Sequence, residues 1–152
     1  MRDINIALIG EGFMGRTHSN AWSQVTRFFK PHARPVMHTS CGRREEHPKT
    51  FANLWGWQHA TANWQNVVNS PEIDLVDIVT PNKLHAPMAT AAIRAGKHVA
   101  CEKPIASSLS EAREMVEAAR SARVKTFVWY NYRRVPAVAL AHRMVKDGLL
   151  GT

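Results

Sequence analysis

Five short apolar runs separated by helical patterns, a glycine-rich turn closing the first run, and polar or turn-forming residues closing the later ones predict a doubly wound α/β fold. The expected sheet is parallel, with strand order 3-2-1-4-5, right-handed crossovers and helices on both faces. The first run, Ile4, Ile6, Ala7, Leu8 and Ile9, reads as a buried strand, and Gly10, Gly12 and Gly15 follow it in GxGxxG spacing. Gly10 permits the tight turn, Gly12 leaves room for a pyrophosphate to approach the backbone, and Gly15 lets the new helix pack close to the sheet, as in a Rossmann-type domain. The N–H groups of that helix's first turn then face the phosphates. Ala21, Trp22, Val25, Phe28 and Phe29 are expected to form the helix's apolar stripe.

Pro31 and Pro35 break the pattern before a second strand at residues 36 to 41. An NAD-preferring fold places Asp or Glu at the end of this strand, where it bonds the ribose 2′-OH. No Asp or Glu lies between Gly12 and Arg44, and the strand runs instead into Gly42, Arg43 and Arg44. A guanidinium there suits a 2′-phosphate, a charged hydrogen bond of about 1.5 to 3 kcal/mol. That reading favours NADP over NAD; in the competing one both arginines are solvated loop residues. Residues 45 to 57 follow as a short helix with Phe51, Leu54 and Trp55 on its apolar side, and Trp64 is either a packing residue or an adenine contact.

The third strand, residues 73 to 81, ends in Thr80, Pro81 and Asn82, a stop and a turn at the carboxyl edge of the sheet, where open α/β folds bind ligands. A helix from Leu84 to Ala95 follows, closed by Gly96, with His85 in its first turn. The fourth strand, in residues 97 to 104, runs into Glu102, Lys103 and Pro104. Lys103 is placed to bond a substrate hydroxyl or to exchange a proton with it, the alternative being a surface ion pair. The following helix opens on a capping box formed by Ser108 and Glu111, and Ala112, Met115, Val116 and Ala119 make its core stripe. A fifth strand at 126 to 130 leads through Asn131, Tyr132, Arg133 and Arg134 to a last helix, from Pro136 to Gly148, with Val138, Ala141, Met144 and Val145 on one face.

A chain of 152 residues, 45% hydrophobic and 21% charged, has the composition of one soluble domain. No apolar run approaches the roughly 20 residues that cross a membrane and no signal peptide is visible, so a cytoplasmic location is expected, with no membrane partner. The net charge of +8 is spread along the chain without a nucleic-acid-binding motif, which argues against nucleic acid and suits an anionic cofactor. Cys41 and Cys101 close strands expected to flank the first one, roughly 9 to 10 Å apart, too far for a disulfide. Both are read as reduced thiols, and no paired C-x-x-C knuckle supports a metal site.

With GEGFMGRTHSNAW, TPNKLHAPMATAAIRAGKHVACEKP and WYNYRRVPAVALAHRMVKDGLLG in place, the chain resembles the Gfo/Idh/MocA oxidoreductases over essentially its whole length. The resemblance implies NAD(P)-dependent hydride transfer at a hydroxyl carbon of a sugar, inositol or related polyol. It assigns the pyrophosphate to Gly10, Gly12, Phe13, Met14 and Gly15, and the nicotinamide half to Thr80, Pro81, Asn82 and His85. Glu102 and Lys103 match the family's EKP motif, which makes Lys103 the catalytic candidate, Asn131 and Arg133 match the loop leading toward the substrate, and the resemblance counts all four among the cofactor-binding residues. Residues 1–135 are then the nucleotide-binding domain, and 136–152 a helix leading to an α+β domain that the family continues into and this sequence lacks. That domain supplies most substrate contacts and the homo-oligomer interface, so this chain alone is expected to be inactive. The competing reading is a stand-alone, non-enzymatic dinucleotide-binding module. An exposed apolar face on the helix after Pro136 would favour the first.

Overall fold

The computed structural model describes residues 1–43 and 46–151, with the side chains of 46–48 outside the description. β1 (Arg2–Ile9) lies inside a wholly parallel sheet, flanked by β2 (Ala33–Cys41) and β4 (Leu75–Ile78). β3 (His59–Thr61) pairs with β2 at one edge; β5 (His98–Cys101) and β6 (Thr126–Val128) extend the other, giving the order β3-β2-β1-β4-β5-β6. The doubly wound order is as expected, with one more strand. The third strand along the chain is His59–Thr61, three residues with no apolar alternation to announce them, so the strand expected at 73 to 81 is the fourth and pairs with β1. Cys41 and Cys101, on β2 and β5, are consequently three strand positions apart, not two; both are buried free thiols.

Helices cover both faces. Val76, Ile78, Val99 and Cys101 pack with Ala89 and Ile93 of α4 (His85–Arg94) and Met115 of α5 (Leu109–Ala122), beside Val67 and Val68 of α3 (Trp64–Asn69). On the other face Ile6, Leu8 and Val79 pack with Phe51 and Ala52 of α2 (Glu46–Trp55) and with Met14 and Trp22 of α1 (Phe13–Phe28). Ile6 to Ile9 are buried without interruption, as a parallel strand covered on both sides requires. Trp64 is partly buried against the first core, and the capping box of Ser108 and Glu111 is formed at the start of α5.

Several predicted stripes are displaced. In α1 the buried residues are Gly15, His18 and Ser19, whereas Phe28 and Phe29 are 74% and 67% exposed and Ala21 is also exposed. The helix turns its Gly15 face inward because the glycine loop brings its first turn close to the end of β1: a Cβ on Gly15 would lie 2.3 Å from the Gly10 carbonyl oxygen. Leu54 of α2 and Val116 of α5 likewise face outward. The last helix, α6 (Pro136–Lys146), buries no residue, and Val138, Leu140 and Val145 on it are exposed, as are Leu149 and Leu150 beyond it.

Candidate functional site

The carboxyl ends of the strands are held in step by hydrogen bonds that continue the sheet ladder into the turns. Gly10 N–H donates to the Cys41 carbonyl at 2.9 Å, Val79 N–H to Ile9 at 2.9 Å, Glu102 N–H to Ile78 at 2.9 Å and Trp129 N–H to Cys101 at 3.0 Å. The glycine loop, the Thr80-Pro81-Asn82 turn, the Glu102-Lys103-Pro104 turn and the 3-10 turn Asn131–Arg134 therefore stand side by side along one edge.

The glycine loop has the form a pyrophosphate needs. Gly10 sits at φ +118°, and a Cβ there would come within 2.7 Å of the Val79 carbonyl oxygen, so any other residue is both strained and obstructed. At Gly12 an added Cβ meets nothing within 4 Å: the surface above the loop is open. Gly12 caps α1 with no side-chain hydrogen bond, and no acidic residue lies in the first turn. The helix thus presents its leading N–H groups and its positive dipole end to this open surface. Phe13 is exposed, and Met14 reaches back into the core.

Beside the loop, Thr80 is half-buried and Pro81 exposed. The Asn82 amide donates to Ser107 Oγ at 3.2 Å, while its Oδ1 is buried without a partner, an acceptor left over at this edge. His85 is 1% exposed, its Nδ1 2.8 Å from the Pro104 carbonyl oxygen and its Nε2 2.8 Å from that of Thr80. It ties the two turns together from behind, with both nitrogens engaged within the protein. Lys103 is exposed, and its backbone N–H donates to Glu102 Oε2 at 2.9 Å. Asn131 and Arg133 are exposed at the end of β6. Arg43 is exposed just past β2; Arg44 lies outside the described residues.

Beneath the turns lies a polar cluster, of which the sequence motifs single out Glu102. His18 of α1 has Nδ1 2.9 Å from Asp77 Oδ2 and Nε2 3.2 Å from Glu102 Oε1. The Trp22 and Trp129 indoles donate to the two oxygens of Asp77, at 2.8 and 2.9 Å, and His18 meets Trp129 edge to face. Asp77 is fully buried and His18 and Glu102 nearly so. Burial pushes the His18 pKa down, but hydrogen bonds and charge from Asp77 and then Glu102 outweigh it, and the net direction is above the ordinary 6.5. The sequence does carry one signal for the cluster: Asp77 is a lone carboxylate inside the apolar run LVDIV, and a charge buried in a parallel strand requires a partner.

A parallel sheet with an open glycine loop at a capless helix N-terminus defines a dinucleotide-binding domain. The chain belongs to the Gfo/Idh/MocA family: the family's model, an oxidoreductase family with NAD-binding Rossmann fold, matches residues 4–130. It is 41% identical over 152 residues to levoglucosan dehydrogenase of Pseudarthrobacter phenanthrenivorans, covering 99% of this chain and 39% of that protein. A solved structure of levoglucosan dehydrogenase in complex with NADH and L-sorbose matches with a TM-score of 0.92 at 41% identity, over 97% of this chain and 40% of that one. An NAD binding oxidoreductase from Klebsiella pneumoniae matches with a TM-score of 0.91 at 42% identity, over 97% of this chain and 39% of that one. The chain thus spans about two fifths of the length of these relatives.

Proposed function

We propose that this chain is the dinucleotide-binding half of an oxidoreductase that moves hydride between a nicotinamide cofactor and a hydroxyl carbon of a sugar, inositol or related polyol. The observation that carries the reading is the open, capless α1 N-terminus at Gly12, set on the same sheet edge as the Thr80-Pro81-Asn82 and Glu102-Lys103 turns. Gly10, Gly12, Phe13, Met14 and Gly15 would hold the pyrophosphate, the backbone N–H groups supplying the hydrogen bonds. Thr80, Pro81 and Asn82 would line the nicotinamide half, with the unpartnered Asn82 Oδ1 as an acceptor and His85 fixing the wall behind them. The bound nicotinamide supplies the hydride chemistry. Lys103, exposed next to that wall, would exchange the proton of the substrate hydroxyl, and Asn131 and Arg133 would extend the edge toward the substrate.

At the adenosine end Arg43 supports NADP, since no carboxylate closes β2; on the other side, relatives about 40% identical have been solved with NADH. Calorimetric titration with both dinucleotides, on the wild type and on Arg43→Ala, decides the matter. A drop in NADP affinity of roughly ten- to a hundredfold in the variant, with NAD unchanged, supports a 2′-phosphate site. Equal binding with no effect of the variant returns the cofactor to NAD, and binding of neither sinks the proposed function.

The half-enzyme reading is supported over the stand-alone module by the apolar exposure of Val138, Leu140, Val145, Leu149 and Leu150, a surface that a self-sufficient module has no reason to present. We place residues 1–135 in the nucleotide domain and 136–152 at the entry to a substrate domain, which would also carry the homo-oligomer contacts. Buried reduced thiols at Cys41 and Cys101 are in keeping with a cytoplasmic setting. Among the described residues no helix is long and apolar enough to cross a membrane.

A further inference from the structure

We propose that His18, gripped between Asp77 and Glu102, is a positioning residue that locks the Glu102-Lys103 turn to the glycine-loop helix, so that the pyrophosphate cradle and the candidate proton-transfer lysine are held as one unit. The inference rests on the function proposed above and assigns a role to three groups buried beneath the turns.

The connection can be followed atom by atom. His18 lies one helical turn past Gly15, on the helix whose N-terminus forms the cradle. Its Nε2 is 3.2 Å from Glu102 Oε1, and the other oxygen of the same carboxylate accepts the Lys103 backbone N–H at 2.9 Å. Its Nδ1 is 2.9 Å from Asp77, whose two oxygens are further fixed by Trp22 and Trp129. A neutral imidazole has one N–H and would set a lone pair against one of the two carboxylates; an imidazolium donates to both. With both carboxylates ionised the contact geometry selects the charged ring, and a buried network of this kind is rigid only while every member is satisfied. The neighbouring elements are accounted for: β4 contributes Asp77, the turn after β5 contributes Glu102, and the residue after β6 is the indole of Trp129. On its own helix Trp22 faces the same carboxylate. The Lys103 side chain is exposed, and the Cys101 thiol is pushed up to about 12 by burial and by these two carboxylates, which leaves it outside the working range.

Loss of the His18 proton should thus loosen Glu102 and be felt at the Lys103 amide. The test is a pH titration of the whole chain followed by NMR at the His18 ring nitrogens and the Lys103 amide, with dinucleotide affinity measured alongside. Expected is a His18 midpoint above 6.5 with both ring nitrogens protonated below it, and a Lys103 amide that inflects at the same pH. In His18→Gln, which retains a donor, the inflection disappears; in Glu102→Gln, which removes one carboxylate charge, the His18 midpoint falls. Where dinucleotide binds, its affinity should weaken several-fold as the wild type passes the midpoint and stay level in His18→Gln. A Lys103 amide that stays flat while His18 titrates overturns the proposal, as does affinity independent of pH. Coupling of the amide to His18 in a protein that binds neither NAD nor NADP would overturn the proposed function and leave the positioning role standing.

Discussion

The two faces of the sheet solve opposite problems with adjacent residues. On β4, Val76 and Ile78 point into a core made with α3, α4 and α5, and Asp77 between them points to the α1 side. At the end of β5, Cys101 joins the same apolar core while Glu102, the next residue, reaches His18. One face is held by close packing of Val76, Ile78, Ala89, Ile93 and Val99; the other, over β4 and β5, by a buried charge network roofed by two tryptophans. The period of two along a strand lets neighbouring residues face environments as different as hydrocarbon and an ion pair. The difference is one of tolerance: trimming an apolar side chain leaves a local defect, whereas deleting one ion strands its partners.

The largest effect is therefore expected from Asp77→Ala, which leaves Nδ1–H of the His18 imidazolium and two indole N–H groups without their acceptor. We expect a loss of about 3 to 5 kcal/mol in urea unfolding below the His18 midpoint, and a penalty that stays the same on both sides of that midpoint would break the comparison. On the packed face, Ile93→Ala should cost about 2 to 5 kcal/mol, with the same value on either side of the His18 titration.

The wild type's own pH dependence sharpens the contrast. The folded His18 binds its proton more tightly than the ordinary value of 6.5 allows in the unfolded chain. Its contribution is complete below about 6.5 and fades as pH rises through the raised folded pKa. Unfolding free energy should accordingly fall with pH in that window, and the penalty of Asp77→Ala should shrink with it. A wild-type profile that rises across the window would contradict the charged cluster. The smallest effect belongs to Ser108→Ala, which removes the hydroxyl of the capping box on α5. About 1 kcal/mol is expected, independent of pH near neutrality, a baseline against which the other variants can be read.

How much of this could be read from the residues alone follows from the same contrast. The glycine loop, the centres of the apolar strands and the capping box are written in local patterns and appear where expected, although β2 begins at Ala33 and runs through Pro35, where the residues alone predict a break before the strand. The stripe on α1 misleads because Phe28 and Phe29 look like core residues, and only the close approach of Gly15 to Gly10 reveals that the helix turns Gly15, His18 and Ser19 inward. β3 has three residues, too few to carry a period. The cluster joins residues 18, 77, 102 and 129, brought together by the parallel pairing of β1, β4, β5 and β6 and by the packing of α1 over them. Asp77 announces that a partner is needed, and nothing local says which.

The rungs that carry the sheet into its turns have a consequence for how such a domain can change. Gly10, Gly42, Val79, Glu102 and Trp129 are each pinned through the backbone N–H to a carbonyl of the neighbouring strand. Except at Gly10, where a Cβ would meet Val79, a main-chain anchor is blind to the side chain it carries. Residues beyond each anchor can be exchanged while the launching point of the loop stays where it was, so a new ligand preference at this edge can be acquired one turn at a time without redrawing the scaffold beneath it.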